Sequence, residues 1–339
     1  MKKALHIFAV NGKTNSGDFF LGPSTKHEFE TIISDKVEWT NFDVRKNITK
    51  KDIDYINTFD YVIIGGGGLF LPDTNPNMVS CWQWSCPSDL MELISSKIYV
   101  ISVGWNHFYG QDITMPYRDN NTRISERNQI FKRNVQTLIN KSQMFTMRHN
   151  GDCEELKNIV DQALHDKIQF SFCPVVGYVK EKYKSEFKSG DYITFEIKDD
   201  RPNRRYMGTS RKEFYDTLYS YITYLKNNGE EIAIMSHDGS SSFVNYLKFK
   251  RFSEFKILNN TVANEKKIIN NYSNVKRLYC TAGHSQMMAH ALGLDNYSLV
   301  GHNKLYYFLQ DTDRSIPEHG AFVKDITLDC LLQHYEKNL

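Results

Sequence analysis

Three stretches of this chain combine residue types and spacing that can do chemistry. In YVIIGGGGLF, residues 61–70, a β-branched run feeds four consecutive glycines, Gly65, Gly66, Gly67 and Gly68. One glycine suffices for a strand-to-helix turn. Four suggest a backbone that stays uncovered, with free N–H groups and room for an anion or a second backbone. The spacing is not G-x-G-x-x-G and lacks a G-K-[ST] ending, so both familiar nucleotide signatures are absent. Arg148 follows the run QMFTM, just before a helix start. Its fork matches a phosphate or carboxylate, and a helix N-terminus adds about 0.3–1 kcal/mol for a bound negative charge. The bland alternative for Arg148 is a surface ion pair with Asp152 or Glu154. His284 opens a helix in CTAGHSQMMAHALGL. There the positive end of the dipole disfavours imidazolium, which suits an acid/base or an anion contact. A lone histidine is more often structural, so its neighbours decide.

Those neighbours also stand at strand ends. NGKTNSGD places Asn15, Gly17 and Asp18 on a turn after the first strand, where turn chemistry alone would use the same residues. GWNHFYG gathers Trp105, His107, Phe108 and Tyr109, a set that suits a sugar at a cleft rim and equally a packed loop. Arg201, Arg204 and Arg205 follow the strand YITFEI, and His237 with Asp238 follows EIAIMS. The six cysteines are scattered without a C-x-x-C repeat, which points to reduced, mostly buried thiols and gives no metal cluster.

The elements that position these residues form two similar series. ALHIFAV, YVIIG, KIYVISVG and QMFTMRH read as strands, with helices at ISERNQIFKRNVQTLINK and at NGDCEELKNIV, the latter capped by Asn150 or Asp152. DKIQFSFCPVVGYV closes the first series and KEKYKSEFKSGD is a charged connector. The alternation restarts with YITFEI, the helix KEFYDTLYSYITYLKNN stopped by Gly229, EIAIMSH, a helix at SFVNYLKFKRF, FKILN, the helix ANEKKIINNYSN, VKRLYCTAG, the helix HSQMMAHALGL and NYSLVG. Short apolar strands alternating with helices predict parallel sheets covered on both faces. The expected architecture is α/β: two Rossmann-like domains, 1–168 and 169–339, facing a cleft. The terminal helix TLDCLLQHYEKN can pack across either domain, including back onto the first. In open parallel sheets ligands bind beyond the carboxyl ends of the strands, where every residue named above stands.

Composition narrows the class. The 339 residues are 40% hydrophobic and 24% charged, ordinary for a globular chain of two domains. A net charge of +2 is too near balance to argue for nucleic acid. The short apolar start broken by His6 reads as a strand rather than a leader, and no run approaches a membrane span. A cytoplasmic protein is expected.

The landmarks NSGD, DYVIIGGGGLF, FTMRHNGDCEELK, IAIMSH and CTAGHSQMMAHALGL, followed by Lys304, resemble in that order the polysaccharide pyruvyl transferase family and span residues 15 to 304. The resemblance implies a GT-B-like fold and transfer of the pyruvyl group of phosphoenolpyruvate onto a sugar, usually as a ketal. Phosphoenolpyruvate is then the donor substrate and no cofactor or metal is required. The acceptor is a sugar or lipid-linked oligosaccharide of a cell-surface glycan, and a lipid-linked acceptor would bring the protein to the inner membrane face. Carried over by motif, Arg148 and His284 belong to the donor site. His284 is the expected acid/base, with Asp18 or His237 as partner. Arg148, Arg204 and Arg205 hold anions, and Asn15, Gly17, Gly65–Gly68 and Lys304 contact substrate. One departure stands out: the family often carries arginine two residues before the histidine, and this chain has Ala282. An anion contact can then shift to Arg204, Arg205 or Lys304. A nucleotide-sugar glycosyltransferase and a non-catalytic sugar-phosphate binder share the same architecture and are the competing readings.

Overall fold

Apolar runs long enough to be buried on both faces become central strands, and the amphipathic segments between them become covering helices. The computed structural model describes residues 1–10, 15–71, 77–109, 124–236, 242–261 and 263–337, apart from the side chains of 124, 125, 202 and 203. Contacts divide the chain into two units, residues 1–11, 21–107 and 112–178 in the first, and 12–20, 108–111 and 179–339 in the second.

The first series runs β1 (Lys2–Phe8), α1 (Ser16–Ile32), β2 (Val37–Asp43), α2 (Lys50–Ile56), β3 (Tyr61–Phe70), α3 (Ser88–Glu92), β4 (Lys97–Trp105), α4 (Ile124–Lys141), β5 (Ser142–Met147), α5 (Asn150–Lys157), β6 (Ile168–Phe170) and α6 (Pro174–Tyr183). Its six parallel strands lie in the order β2-β1-β3-β4-β5-β6, so the order reverses between β1 and β3. Leu5, Val62, Ile64, Val100 and Phe145 form the centre of its core. The expected boundary at 168/169 moves, because Ile168–Phe170 pair with Phe145–Met147 and keep the sixth strand in the first sheet. Residues 180–183 of the expected connector continue α6. The strand VEWTNFD was not foreseen. It lies at the sheet edge with most of its side chains partly or fully exposed, so it lacks the buried run that marks a strand.

The second series runs β7 (Tyr192–Glu196), α7 (Pro202–Arg205), α8 (Arg211–Asn227), β8 (Glu231–Ser236), α9 (Ser242–Phe249), β9 (Lys256–Asn259), α10 (Glu265–Tyr272), β10 (Val275–Cys280), α11 (Gly283–Leu292), β11 (Asp295–Val300), α12 (Asn303–Asp311), β12 (Gly320–Phe322) and α13 (Leu328–Lys337). Its parallel strands lie in the order β12-β11-β10-β7-β8-β9, the doubly wound order of a Rossmann sheet, reversing between β7 and β10. The terminal helix α13 belongs to the second unit. It packs on α8, its Tyr335 hydroxyl donates to Glu230 at 3.0 Å, and His334 Nδ1 meets the Tyr279 hydroxyl at 3.1 Å.

His6 shows how firmly the first sheet is closed. Its imidazole is fully buried, stacked on Phe8 with centroids 4.2 Å apart, and Nε2 donates to the Gly65 carbonyl at 3.0 Å. Burial drives its pKa down to about 3, against the opposing pull of that hydrogen bond. An unfolded histidine titrates near 6.5, so above that pH His6 is neutral in both states and its contribution is intact. As pH falls from 6.5 towards 3 the unfolded chain takes up a proton that the folded one refuses, and stability is lost. At pH 5 the loss is about 2 kcal/mol. Unfolding free energies from urea titrations at pH 7.5 and pH 5 should therefore differ more for the natural chain than for His6→Phe, by roughly that amount. Equal pH sensitivity in the two proteins would refute the assignment.

Candidate active site

In the first unit the candidate residues begin at the glycine run. These glycines do not make a strand-to-helix turn; β3 continues through them to Phe70, with an irregular register against β4 after Gly67. Gly65, Gly66 and Gly67 have φ of 151°, 76° and 92°, conformations that side chains rarely adopt. Nor are their faces bare. A Cβ on Gly65 would overlap the Ile101 carbonyl oxygen, and one on Gly68 the Asn106 amide. On Gly66 and Gly67 it would lie 2.5 Å from Thr25 Oγ1 and 2.8 Å from Leu21 Cδ1. The run is bare because α1 and the end of β4 close onto it.

What this close approach builds is a seat for Arg148. The side chain is 1% exposed at the end of β5, and Nη2 donates to Asn106 Oδ1 at 2.5 Å. The guanidinium lies over Gly104, where a Cβ would overlap it, and Cys173 stands beside it. Burial pushes the Cys173 thiol pKa up, with Arg148 pulling the other way. No carboxylate pairs with Arg148 among the described residues, and its Nε has no hydrogen-bond partner there. The expected surface ion pair with Asp152 or Glu154 does not form. The cap expected of Asn150 or Asp152 falls to the backbone of His149, and Asp152 lies buried in the first turn of α5.

In the second unit a separate set of candidate residues gathers where the strand order reverses, at the carboxyl ends of β7 and β10. Thr281 N–H donates to the Glu196 carbonyl at 3.0 Å, and Lys198 N–H donates to Thr281 Oγ1 at 2.6 Å, lacing the two strand ends together. His284 follows in the first turn of α11, 8% exposed. The turn Asn15–Asp18 packs on it: a Cβ at Gly17 would overlap the His284 ring. Asn15 Oδ1 accepts from the N–H groups of Gly17 at 3.0 Å and Asp18 at 3.3 Å. Asn15 is thus the N-cap of α1, and Asp18 lies in the first helical turn rather than on a loop. The Lys304 stem crosses Gly283, with Cδ 2.8 Å from where a Cβ would stand. Gly17, His284 and the Lys304 stem therefore lie together at the start of α11, and Asn15 caps the start of α1 beside Gly17.

The arginines divide. Arg205 is 2% exposed and committed to protein: it forms an ion pair with Asp200, donates from Nη1 to the Thr281 carbonyl at 3.3 Å, and lies over the Phe108 ring at 5.3 Å. Burial pushes the Asp200 pKa up, but Arg205, Lys198 and Arg201 outweigh it and hold the carboxyl well below its usual range. Arg204 stands half-buried in the same short helix. His237 and Asp238 lie outside the described residues. The aromatic cluster proves to be packing: Trp105 and Phe108 are buried, His107 Nε2 lies 3.0 Å from Glu155, and Tyr109 stacks on Phe322 at 4.5 Å.

Glu196 was missed. Its carboxylate is 1% exposed, and Oε2 accepts from the Ala282 N–H at 3.0 Å, at the N-cap of the helix that carries His284. The available signal was an acid inside the otherwise apolar run YITFEI. Among the described residues no three His, Cys, Asp or Glu side chains gather as a metal ion would require. No described helix is long and apolar enough to cross a membrane.

Two doubly wound parallel sheets with polar groups at their strand ends define a GT-B-type architecture, and solved structures agree at the level of fold. S. aureus MnaA, solved with UDP, is similar at TM-score 0.55 and 10% identity, covering 99% of this chain and 88% of that one. The UDP-GlcNAc 2-epimerase of Methanocaldococcus jannaschii, solved with UDP-GlcNAc and UDP, is similar at TM-score 0.55 and 12% identity, covering 99% and 92%. An alpha-glucosyltransferase solved with UDP and DNA follows at TM-score 0.51 and 11% identity, covering 99% and 89%. No curated protein matches the sequence. Residues 15–294 match the sequence model of the polysaccharide pyruvyl transferases, and the chain belongs to that family.

Proposed function

We propose that this transferase moves the pyruvyl group of phosphoenolpyruvate onto two hydroxyls of a glycan sugar as a ketal, releasing phosphate. The observation that carries the reading is Arg148. A buried guanidinium without a carboxylate partner among the described residues is costly, and an anionic substrate supplies the missing charge. Phosphoenolpyruvate offers a phosphate and a carboxylate. In the reaction one sugar hydroxyl adds to C2 of the enol while C3 takes a proton. The second hydroxyl then displaces phosphate from C2 and closes the ketal. Each hydroxyl must lose a proton and C3 must gain one, so an acid/base near neutral pH is needed.

His284 is assigned that role, with Asp18 or His237 exchanging the second proton. Lys304 and Arg204 are assigned as further cations for the donor, and Arg205 is held by Asp200. Ala282 offers only its backbone N–H, and that goes to Glu196, so Arg148 is assigned as the principal anion contact. The acceptor is a sugar of a cell-surface glycan precursor, and a lipid-linked acceptor places the reaction at the inner membrane face.

Thermal melting separates the readings. Phosphoenolpyruvate at 100 times its dissociation constant should stabilise the protein by about 2.7 kcal/mol, and Arg148→Met should remove most of that shift. Stabilisation by UDP-sugars alone would overturn the assignment in favour of glycosyl transfer. Turnover is then read with lipid-linked and aryl glycosides, as phosphate release and the mass gain of the product.

A further inference from the structure

The end of α9 and the edge strand β9 present a surface that the transfer site does not use. Phe249, the last residue of α9, is 81% exposed, more than any other described aromatic side chain, and Ile257 on β9 is 53% exposed. Phe249 lies within, and Ile257 directly follows, the segment Lys248-Phe249-Lys250-Arg251-Phe252-Ser253-Glu254-Phe255-Lys256, which holds four basic residues and one acidic residue. Lys250 pairs with Asp216 at 2.9 Å, and Lys256 donates to Asn274 at 2.8 Å. Lys248 and Arg251 are exposed, and neither head group has an ion-pair partner among the described residues.

The backbone at Arg251 is a second and independent sign. Helix α9 ends in paired closing bonds, from Phe252 N–H to the Leu247 carbonyl at 3.0 Å and from Arg251 N–H to the Lys248 carbonyl at 2.9 Å. That closure requires a left-handed residue, and Arg251 supplies it at φ 60°. Glycine is favoured there, so an arginine is kept at the expense of stability, which points to a use for its side chain.

We propose that the α9–β9 corner of the second unit docks on an anionic lipid surface, with Phe249 inserted at the acyl boundary and Lys248 and Arg251 beside the headgroups. An exposed aromatic between cations matches such a surface in both parts. The ring gains by leaving water, and each cation gains from the negative surface potential.

Co-sedimentation of the full chain with vesicles tests this without donor or acceptor, so its failure leaves the transfer reading standing. Vesicles of phosphatidylcholine with phosphatidylglycerol should bind the protein at low salt, phosphatidylcholine alone should not, and about 0.5 M salt should release it. Arg251→Gly should weaken binding about fivefold with an undiminished melting temperature, because glycine suits the left-handed position. Phe249→Ser should weaken it about tenfold or more. The proposal is overturned if the anionic vesicles do not bind, or if both variants bind as the natural chain does. It is equally overturned if Phe249→Ser converts a dimer to a monomer, which would make the corner a contact between two copies.

Discussion

His284→Ala lowers phosphate release by about 10²–10⁴-fold, the range for loss of a positioned acid/base, while the protein still binds phosphoenolpyruvate. His284 is 8% exposed and its ring is pressed by the Asn15–Asp18 turn, so both its position and its access are set by neighbours. Removing the imidazole opens a small cavity at a helix end and leaves Arg148, in the other unit, in place. The loss should therefore fall on kcat, with the donor KM little changed. Arg148→Lys should show the converse, a raised donor KM, because lysine keeps the charge and loses the planar fork. His284→Gln, which fills the space without a titratable ring, guards against a fold defect and should be as inactive as the alanine variant. Turnover within tenfold of the natural chain in both His284 variants would remove this residue from the mechanism.

Gly65→Ala should cost about 3 kcal/mol or more of stability and lower the melting temperature by several degrees. Two terms add here. The backbone sits at φ 151°, and the new methyl would overlap the Ile101 carbonyl oxygen, a backbone atom of the neighbouring strand that cannot move aside. The control is Gly177→Ala in α6, where no atom lies within 4 Å of the added carbon and φ is not positive. There alanine should be neutral or stabilise by up to about 1 kcal/mol. If Gly65→Ala instead melted like the natural chain and lost only donor binding, the glycine run would line the ligand after all.

Much of the fold was legible because hydrophobic periodicity is a local property. Every long buried strand was visible in its own residues, from ALHIF to NYSLV, as were α4, α8, α10 and α11. Helices α1, α2, α6 and α12 escaped, as did two strands, β2 with its exposed side chains and the three-residue β12. Neither strand buries enough apolar surface to leave a run or a period in the sequence.

The site was legible as residue types at strand ends, and less so as roles. Arg148 and His284 stand out from their own motifs. Asn15 looked like a substrate contact and is a helix cap, because the same side-chain oxygen serves either purpose. Arg205 looked like an anion clamp and is bound to Asp200, five residues away on the other side of a turn. Glu196 was invisible as a site residue until β10 was placed beside β7, 80 residues apart in the chain and adjacent in the sheet.

The sequence by itself determined the alternation of strands and helices and the two series, but not the end of β3, which runs on through the glycines to Phe70. Tertiary structure alone decided the strand order, and with it which strand ends meet. It also decided that the four glycines are bare to admit Ile101, Thr25, Leu21 and Asn106, and that the guanidinium behind them is left without a carboxylate partner among the described residues. The physical reason is the range of the forces involved. Propensity and periodicity act over a few residues, whereas close packing and the pairing of buried charge depend on atoms that only the folded chain brings together.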